Sequence, residues 1–203
     1  MVSTQKFVNL SVDYFFVQGI PIMHTISRNF HFRTVEFFLN KSKANEKDTR
    51  QAIQKVLPIY RGRGLQVTKV NADNEFECID DCIRPAQLHI VGANEHVPDV
   101  ERSIRTIKEC TRCHVHRLPY KRYTKLMVAG MILHITKSLN SLPSESGITA
   151  DLSPATLITG CSPVSYNSVI KLNYGDYVHA HETKQVTIND QSRRSVGADK
   201  ILN

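Results

Sequence analysis

No stretch of this chain approaches the roughly 18 consecutive apolar residues of a membrane-crossing helix, so no transmembrane span is expected. The opening Met1-Val2-Ser3-Thr4-Gln5-Lys6 lacks the basic-then-apolar form of a secretory signal. Cysteine is sparse and odd in number, at 5. In a chain with no export signal that argues against a disulfide framework. Internal repeats and low-complexity tracts are also missing, which excludes solenoids and biased linkers. Acid is the scarcer charge: 19 Asp and Glu stand against 26 Lys and Arg, a net charge of +7. That balance favours a polyanionic partner, although solvated lysines on an ordinary surface account for it equally well.

The 203 residues, 41% hydrophobic and 22% charged, suit one sizeable globular domain or a domain with an appendage. Residues 7–17, about 20–27 and 30–39 read as three strands, rich in β-branched and aromatic side chains. Gln18-Gly19-Ile20-Pro21 supplies a turn, and the short links predict an antiparallel meander. Residues 44–60 predict a helix. Its apolar stripe is Ala52, Ile53, Val56, Leu57 and Tyr60, with Pro58 expected to kink it or end it early.

A fourth strand is expected over 65–71, a short helix over 75–83 and a fifth strand over 87–91. Helices are then expected over 98–114, about 122–139 and 154–159, the first opened by Pro98 and the last capped by Ser153. A last strand is expected over 172–179. The order predicts an α/β domain with a five-stranded mixed sheet, a three-strand meander plus two parallel strands, flanked by helices. Residues 1–140 would form the core, 141–182 an extension with a short helix and strand, and 183–203 a polar, disordered tail.

Three acids stand out. Asp13 lies inside an apolar strand, where a carboxylate is costly unless it is paired or meets a cation. Asp73 ends the fourth strand, and Glu101 opens a basic helix. If the first and fourth strands are neighbours, their two carboxylates approach, and the helix N-terminus closes over them. Three converging carboxylates suit two divalent ions and in-line phosphoryl transfer. Each acid also has a plainer role. Asp73-Asn74 suits a turn, and Glu101 complements a helix dipole. Asp13 is the hardest to explain without a partner.

These residues resemble the catalytic core of retroelement integrases, most closely those of copia-type retrotransposons. Ser11-Val12-Asp13-Tyr14 matches the first acid motif of that family. Ser27-Arg28 and Lys41-Ser42 resemble its next landmarks, and Ala72-Asp73-Asn74-Glu75-Phe76 its second acid motif. Val100-Glu101-Arg102 with Arg105-Thr106 resembles the helix that carries the third acid. Leu152-Ser153-Pro154, Thr159-Gly160, Pro163 and Tyr174-Gly175 follow in the family's order.

The resemblance implies an RNase H-like fold and a DDE triad of Asp13, Asp73 and Glu101 holding two Mg²⁺ or Mn²⁺ ions. It further implies DNA 3′-end processing and strand transfer, element ends and target DNA as partners, multimeric assembly, and a nuclear site of action after cytoplasmic assembly. The chain departs from the family in several places. Asp73-Asn74-Glu75-Phe76 lacks the family's Gly after Asn. Only 27 residues separate Asp73 from Glu101, whereas Glu109 stands at the family's usual spacing of 35. Ile104 replaces the family's Asn, and no His-His-Cys-Cys zinc module precedes Asp13. The expectation is therefore a polyprotein fragment or a decayed copy, either active or an inactive nucleic-acid-binding remnant.

Arg105 and Lys108 share a helix face with Glu101, with Arg102 and Arg112 beside it. Such cations would position phosphates without reading sequence. Lys121, Arg122 and Lys125, beside Tyr120 and Tyr123, form a second basic cluster suited to phosphate or to a helix start. Cys110-Thr111-Arg112-Cys113-His114 has the form of a haem attachment motif, without the export signal that usually accompanies one. Cys78, Cys82, Cys110 and Cys113 could together supply four thiolates for a zinc-binding module. His89, His96 and His134 are isolated in the sequence.

Overall fold

The computed structural model describes residues 6–38, 44–92, 97–119, 121–144, 147–161, 174–176, 180–181 and 195–196. Strands β1 (Phe7–Val17), β2 (Ile20–Ser27) and β3 (Arg33–Phe37) form the antiparallel meander. Helix α1 (Glu46–Arg61) crosses to β4 (Gln66–Ala72), which lies parallel to β1. A 3₁₀ turn (Asn74–Ile79) and the short α2 (Asp80–Ile83) lead to β5 (Gln87–Ile90), parallel to β4. The sheet order is β3-β2-β1-β4-β5. Then follow α3 (Pro98–Arg117), α4 (Lys125–Ser141) and α5 (Pro154–Thr159). Two short strands, β6 (Ala180–His181) and β7 (Ser195–Val196), pair antiparallel.

The α/β architecture and the mixed five-stranded sheet follow from alternation within β1. Val8, Leu10, Val12 and Tyr14 face one way, into a core shared with Ile53, Val56 and Leu57 of α1 and with Leu157 and Ile158 of α5. Phe15 and Val17 face the other way, against Val100, Ile104 and Ile107 of α3 and Val128 and Ile132 of α4. Burying each such side chain stabilises the fold by about 1.5–3 kcal/mol. Two apolar clusters therefore lie on opposite faces of one sheet, and both faces of β1 are covered.

Several boundaries depart from the sequence reading. Strand β3 starts at Arg33 rather than near residue 30, because His31 has φ +55 and the Ser27 hydroxyl accepts from Phe32 N at 3.0 Å. Helix α1 begins with a capping box between Asn45 and Asp48. Pro58 does not end it. So near the C-terminus a proline forgoes a single helical hydrogen bond, and α1 continues to Arg61. Thr124 caps α4 by accepting from Met127 N at 3.2 Å, so that helix starts at Lys125 instead of Arg122. Ser153 caps α5 as read from the sequence. Of the strand expected over 172–179, Tyr174 and Gly175 form a turn, Asp176 is in neither helix nor strand, and the other residues lie outside the described ones. Most of the 183–203 tail also lies outside them.

Candidate carboxylate site

The parallel register of β1 and β4 ends at Ser11 opposite Asn71. Two residues further along each chain stand Asp13 and Asp73. Neighbouring strands lie about 4.8 Å apart, so the two acids follow the paired ends of adjacent strands. Asp13 shares its face of β1 with Ser11 and Phe15, the face that α3 covers. Glu101 stands in the first turn of α3. The Arg28–Asp99 ion pair, 3.4 Å, ties that turn to the end of β2, although its exposure leaves it worth less than about 1 kcal/mol.

The electrostatics join the three acids. Burial pushes the Asp13 carboxyl up to about 6, against the pull of its bond from Tyr14 N. The negative charges of Asp73, Glu101 and Glu75 each raise it further. Asp13, Asp73 and Glu101 therefore stand within Coulombic reach of one point. Glu75, a member of the Asp73-Asn74-Glu75-Phe76 motif, joins them from the 3₁₀ turn. Its place two residues after Asp73 was the available signal. Glu109 is not among these charges. It lies eight residues beyond Glu101, about 12 Å along the helix, and its charge bears on Cys110.

Both aspartates also serve their own backbones. Asp13 Oδ1 accepts from Tyr14 N at 2.6 Å, and Asp73 Oδ1 accepts from Asn74 N at 2.7 Å, capping the 3₁₀ turn. Among the described residues, no group of three or more His, Cys, Asp or Glu is placed to hold a metal ion. The Ser11 hydroxyl, 1% exposed, has no hydrogen-bond partner among the described residues. An orphaned buried hydroxyl costs about 1–3 kcal/mol, and this one stands two residues from Asp13 on the same face. The side-chain donors of Ser11, Asp13, Asp73, Glu75 and Glu101 are all oxygens, the donor type that Mg²⁺ or Mn²⁺ would take and softer metals would not prefer.

Arg102, Arg105 and Arg112 are exposed along α3. Lys108 is half-buried, its Nζ 5.8 Å from the centroid of the Phe15 ring, so part of its charge is held against the core. Lys121 and Arg122 are exposed in the segment before α4. Thr124 is the residue that caps that helix, so the helix-start role for the basic pair falls away.

The sheet keeps the cysteine pairs apart. Cys78 and Cys82 pack against the α1-side core. Cys110 and Cys113 belong to α3 on the opposite face. Cys110, Cys113 and His114 form continuous helix, in which His114 Nδ1 donates to the Cys110 carbonyl at 2.9 Å. The His134 ring lies 5.9 Å from those of His114 and Tyr174. His89 is exposed in β5, and His96 lies outside the described residues.

One histidine passed over in the sequence is wholly buried. His24 is the cross-strand partner of Asp13. Burial holds its imidazole down to about 4, with the Arg33 charge adding to the effect and the bond to Thr34 opposing it. Its neighbours in Met23-His24-Thr25-Ile26-Ser27 gave no signal of that burial.

No helix among the described residues is long and apolar enough to cross a membrane. No protein-family model matches the chain, and a search of curated proteins returns no match.

Proposed function

We propose that this chain is an integrase-like polynucleotidyl transferase core with an RNase H-like fold, resembling those of copia-type retrotransposons. One observation carries the reading: the half-buried Asp13 carboxyl lies within the fields of Asp73 and Glu101. The antiparallel meander joined to a parallel arm, with the acids at the β1–β4 junction, supports the fold assignment. So does the ordered series of motifs from Asp13 to Gly175.

In this reading Asp13 presents its carboxylate from the sheet, Asp73 from a strand end and Glu101 from a helix, and together they hold two Mg²⁺ or Mn²⁺ ions. Such ions supply the positive charge that favours attack on a phosphodiester and departure of the leaving oxygen. Arg102, Arg105 and Arg112 position backbone phosphates along α3, with Lys121 and Arg122 as a second contact. Water and then a DNA 3′-hydroxyl are the attacking groups. Element ends and target DNA are the partners, a multimer the working form and the nucleus the site of action.

The test is metal-dependent nicking and strand transfer on duplex DNA carrying element-end sequence. Asp73→Asn removes the activity if the reading holds. Unchanged activity in that variant sinks it.

The second reading is a nucleic-acid-binding remnant without turnover. It draws support from the shortened Asp73–Glu101 interval and from the two aspartates already bonded to their own backbones. Binding that weakens steeply with salt, with no cleavage in Mg²⁺ or Mn²⁺, selects it. A four-thiolate zinc module is the weakest candidate, because its two cysteine pairs stand on opposite faces of the sheet.

A further inference from the structure

A buried polar chain crosses the α3 face of the sheet beside Asp13, and each of its protons can be placed. The Thr34 carbonyl only accepts, so His24 Nδ1, 2.8 Å away, carries the hydrogen. His24 Nε2 is then a bare acceptor, and the Ser103 hydroxyl, 2.8 Å away, donates to it. Ser103 Oγ in turn accepts from Arg33 Nε at 3.0 Å. A further arm of the guanidinium donates to the His31 carbonyl at 3.0 Å. The Arg33 backbone is gripped from α4: Asn140 Oδ1 accepts from its N–H at 2.9 Å, and Asn140 Nδ2 donates to its carbonyl at 2.8 Å. His24 is 0% exposed and Ser103 3%, so water does not compete for the bond between them.

The chain binds β2, β3, α3 and α4 together through directional contacts. Val100, Ile104 and Ile107, which also hold α3 on the sheet, are apolar and fix no rotation so sharply, and the Arg28–Asp99 ion pair at the first turn of the helix is exposed. A slip of one residue turns a helix by about 100° and moves it about 1.5 Å. Glu101 stands two residues before Ser103, and Asp13 is the cross-strand partner of the histidine that Ser103 engages.

We infer that Ser103, through its hydrogen bonds to His24 and Arg33, is a positioning residue that sets the rotation of α3 and so holds Glu101 against Asp13. The inference rests on the reading of Asp13, Asp73 and Glu101 as a divalent-cation site. It adds a device that the acids themselves do not reveal: the third acid, carried on a helix, is indexed to the first by a histidine buried between the sheet and that helix.

The test uses the full chain with Mn²⁺ alone as probe, followed by titration of the free-ion paramagnetic signal. In the wild type, Mn²⁺ binds and Asp13→Asn abolishes that binding. Ser103→Ala weakens it by about tenfold, the scale on which outer-shell partners act. Ser103→Thr, which keeps the hydroxyl, restores it. In a Glu101→Gln background Ser103→Ala has no additional effect, because the serine acts only through that glutamate. Thr111→Ala is the control: its buried hydroxyl bonds only to the Ile107 carbonyl of its own helix, and Mn²⁺ affinity stays at the wild-type value.

The ¹⁵N spectrum of the His24 ring reports the network without any metal, as one protonated Nδ1 and one bare Nε2, with the Nε2 signal shifted in Ser103→Ala. Ser103→Cys, close in volume and a weak donor, carries the same test if alanine unfolds the chain. Two results overturn the inference, and they differ. If Asp13→Asn binds Mn²⁺ as well as the wild type, the cation-site reading falls and takes the inference with it. If Asp13→Asn loses Mn²⁺ but Ser103→Ala retains it, or the loss is fully additive with Glu101→Gln, the positioning role alone is wrong.

Discussion

Asp13 and His24 are cross-strand partners on the face of the sheet beneath α3, and burial drives both towards their neutral forms. The carboxyl rises to about 6 and the imidazole falls to about 4. Their contributions to stability therefore run in opposite directions as pH falls. Acidification relieves Asp13 and penalises His24.

For Asp13, the unfolded carboxyl ionises near 3.8 and the folded one near 6. Below 3.8 both states are protonated and nothing is lost. Between 3.8 and 6 the unfolded state ionises first, so stability falls as pH rises, and above 6 the loss is constant. Asp13→Asn removes the penalty while its side-chain oxygen still accepts from Tyr14 N. The variant should show a higher Tm than the wild type at pH 7 in a metal chelator, and the gap should close near pH 4. Thermal unfolding at both pH values checks it. An equal or lower Tm at pH 7 contradicts the energetic reading of the site.

His24 has the opposite sign. Its unfolded imidazole takes a proton near 6.5, and the buried one resists until about 4. Stability is full above 6.5, falls as pH drops through that window and levels below 4. At about 1.4 kcal/mol per unit, the shift corresponds to roughly 3 kcal/mol. His24→Gln should flatten the acid limb of a stability–pH curve measured by urea unfolding, at the cost of lower stability at neutral pH. A limb as steep as that of the wild type means that other groups cause it.

Much of this arrangement was legible in the sequence. The β-branched and aromatic residues of 7–17 announced a strand, though not that both of its faces are covered. Asp13 stood out for the same reason, as an acid in an apolar run. Pro98 marks the start of α3 because a proline suits that position. What could not be read depends on contacts between distant residues. His24 is invisible as a buried group until Ser103 of α3 and the Thr34 carbonyl meet it. The choice between Glu101 and Glu109 turns on where α3 docks, which spacing does not encode. The cysteine pairs look like one ligand set until the sheet comes between them.

That docking gives a sharp comparison of the two glutamates. Glu101→Gln should weaken Mn²⁺ binding by more than the roughly 10–100-fold that outer-shell partners cost, and remove metal-dependent DNA nicking with it. Glu109→Gln should leave both within experimental error of the wild type. Calorimetric titration with Mn²⁺ and a supercoiled-plasmid nicking assay read the two effects. The reverse pattern assigns the third acid to the residue at the family's usual spacing.

The basic residues of α3 divide by exposure. Arg102, Arg105 and Arg112 are exposed, whereas Lys108 is half-buried with its charge over Phe15. Each phosphate neutralised on duplex DNA contributes about 0.9 to the slope of log affinity against log salt. Replacing the three arginines by alanine should lower that slope by about 2.7, and Lys108→Ala should change it by less than any single arginine does. Such contacts track the backbone, so the loss should be the same for element-end and unrelated duplexes. Fluorescence anisotropy across a salt series measures all three quantities. If the triple variant keeps the wild-type slope, DNA lies elsewhere on the molecule, and the acids at the β1–β4 junction lose their substrate.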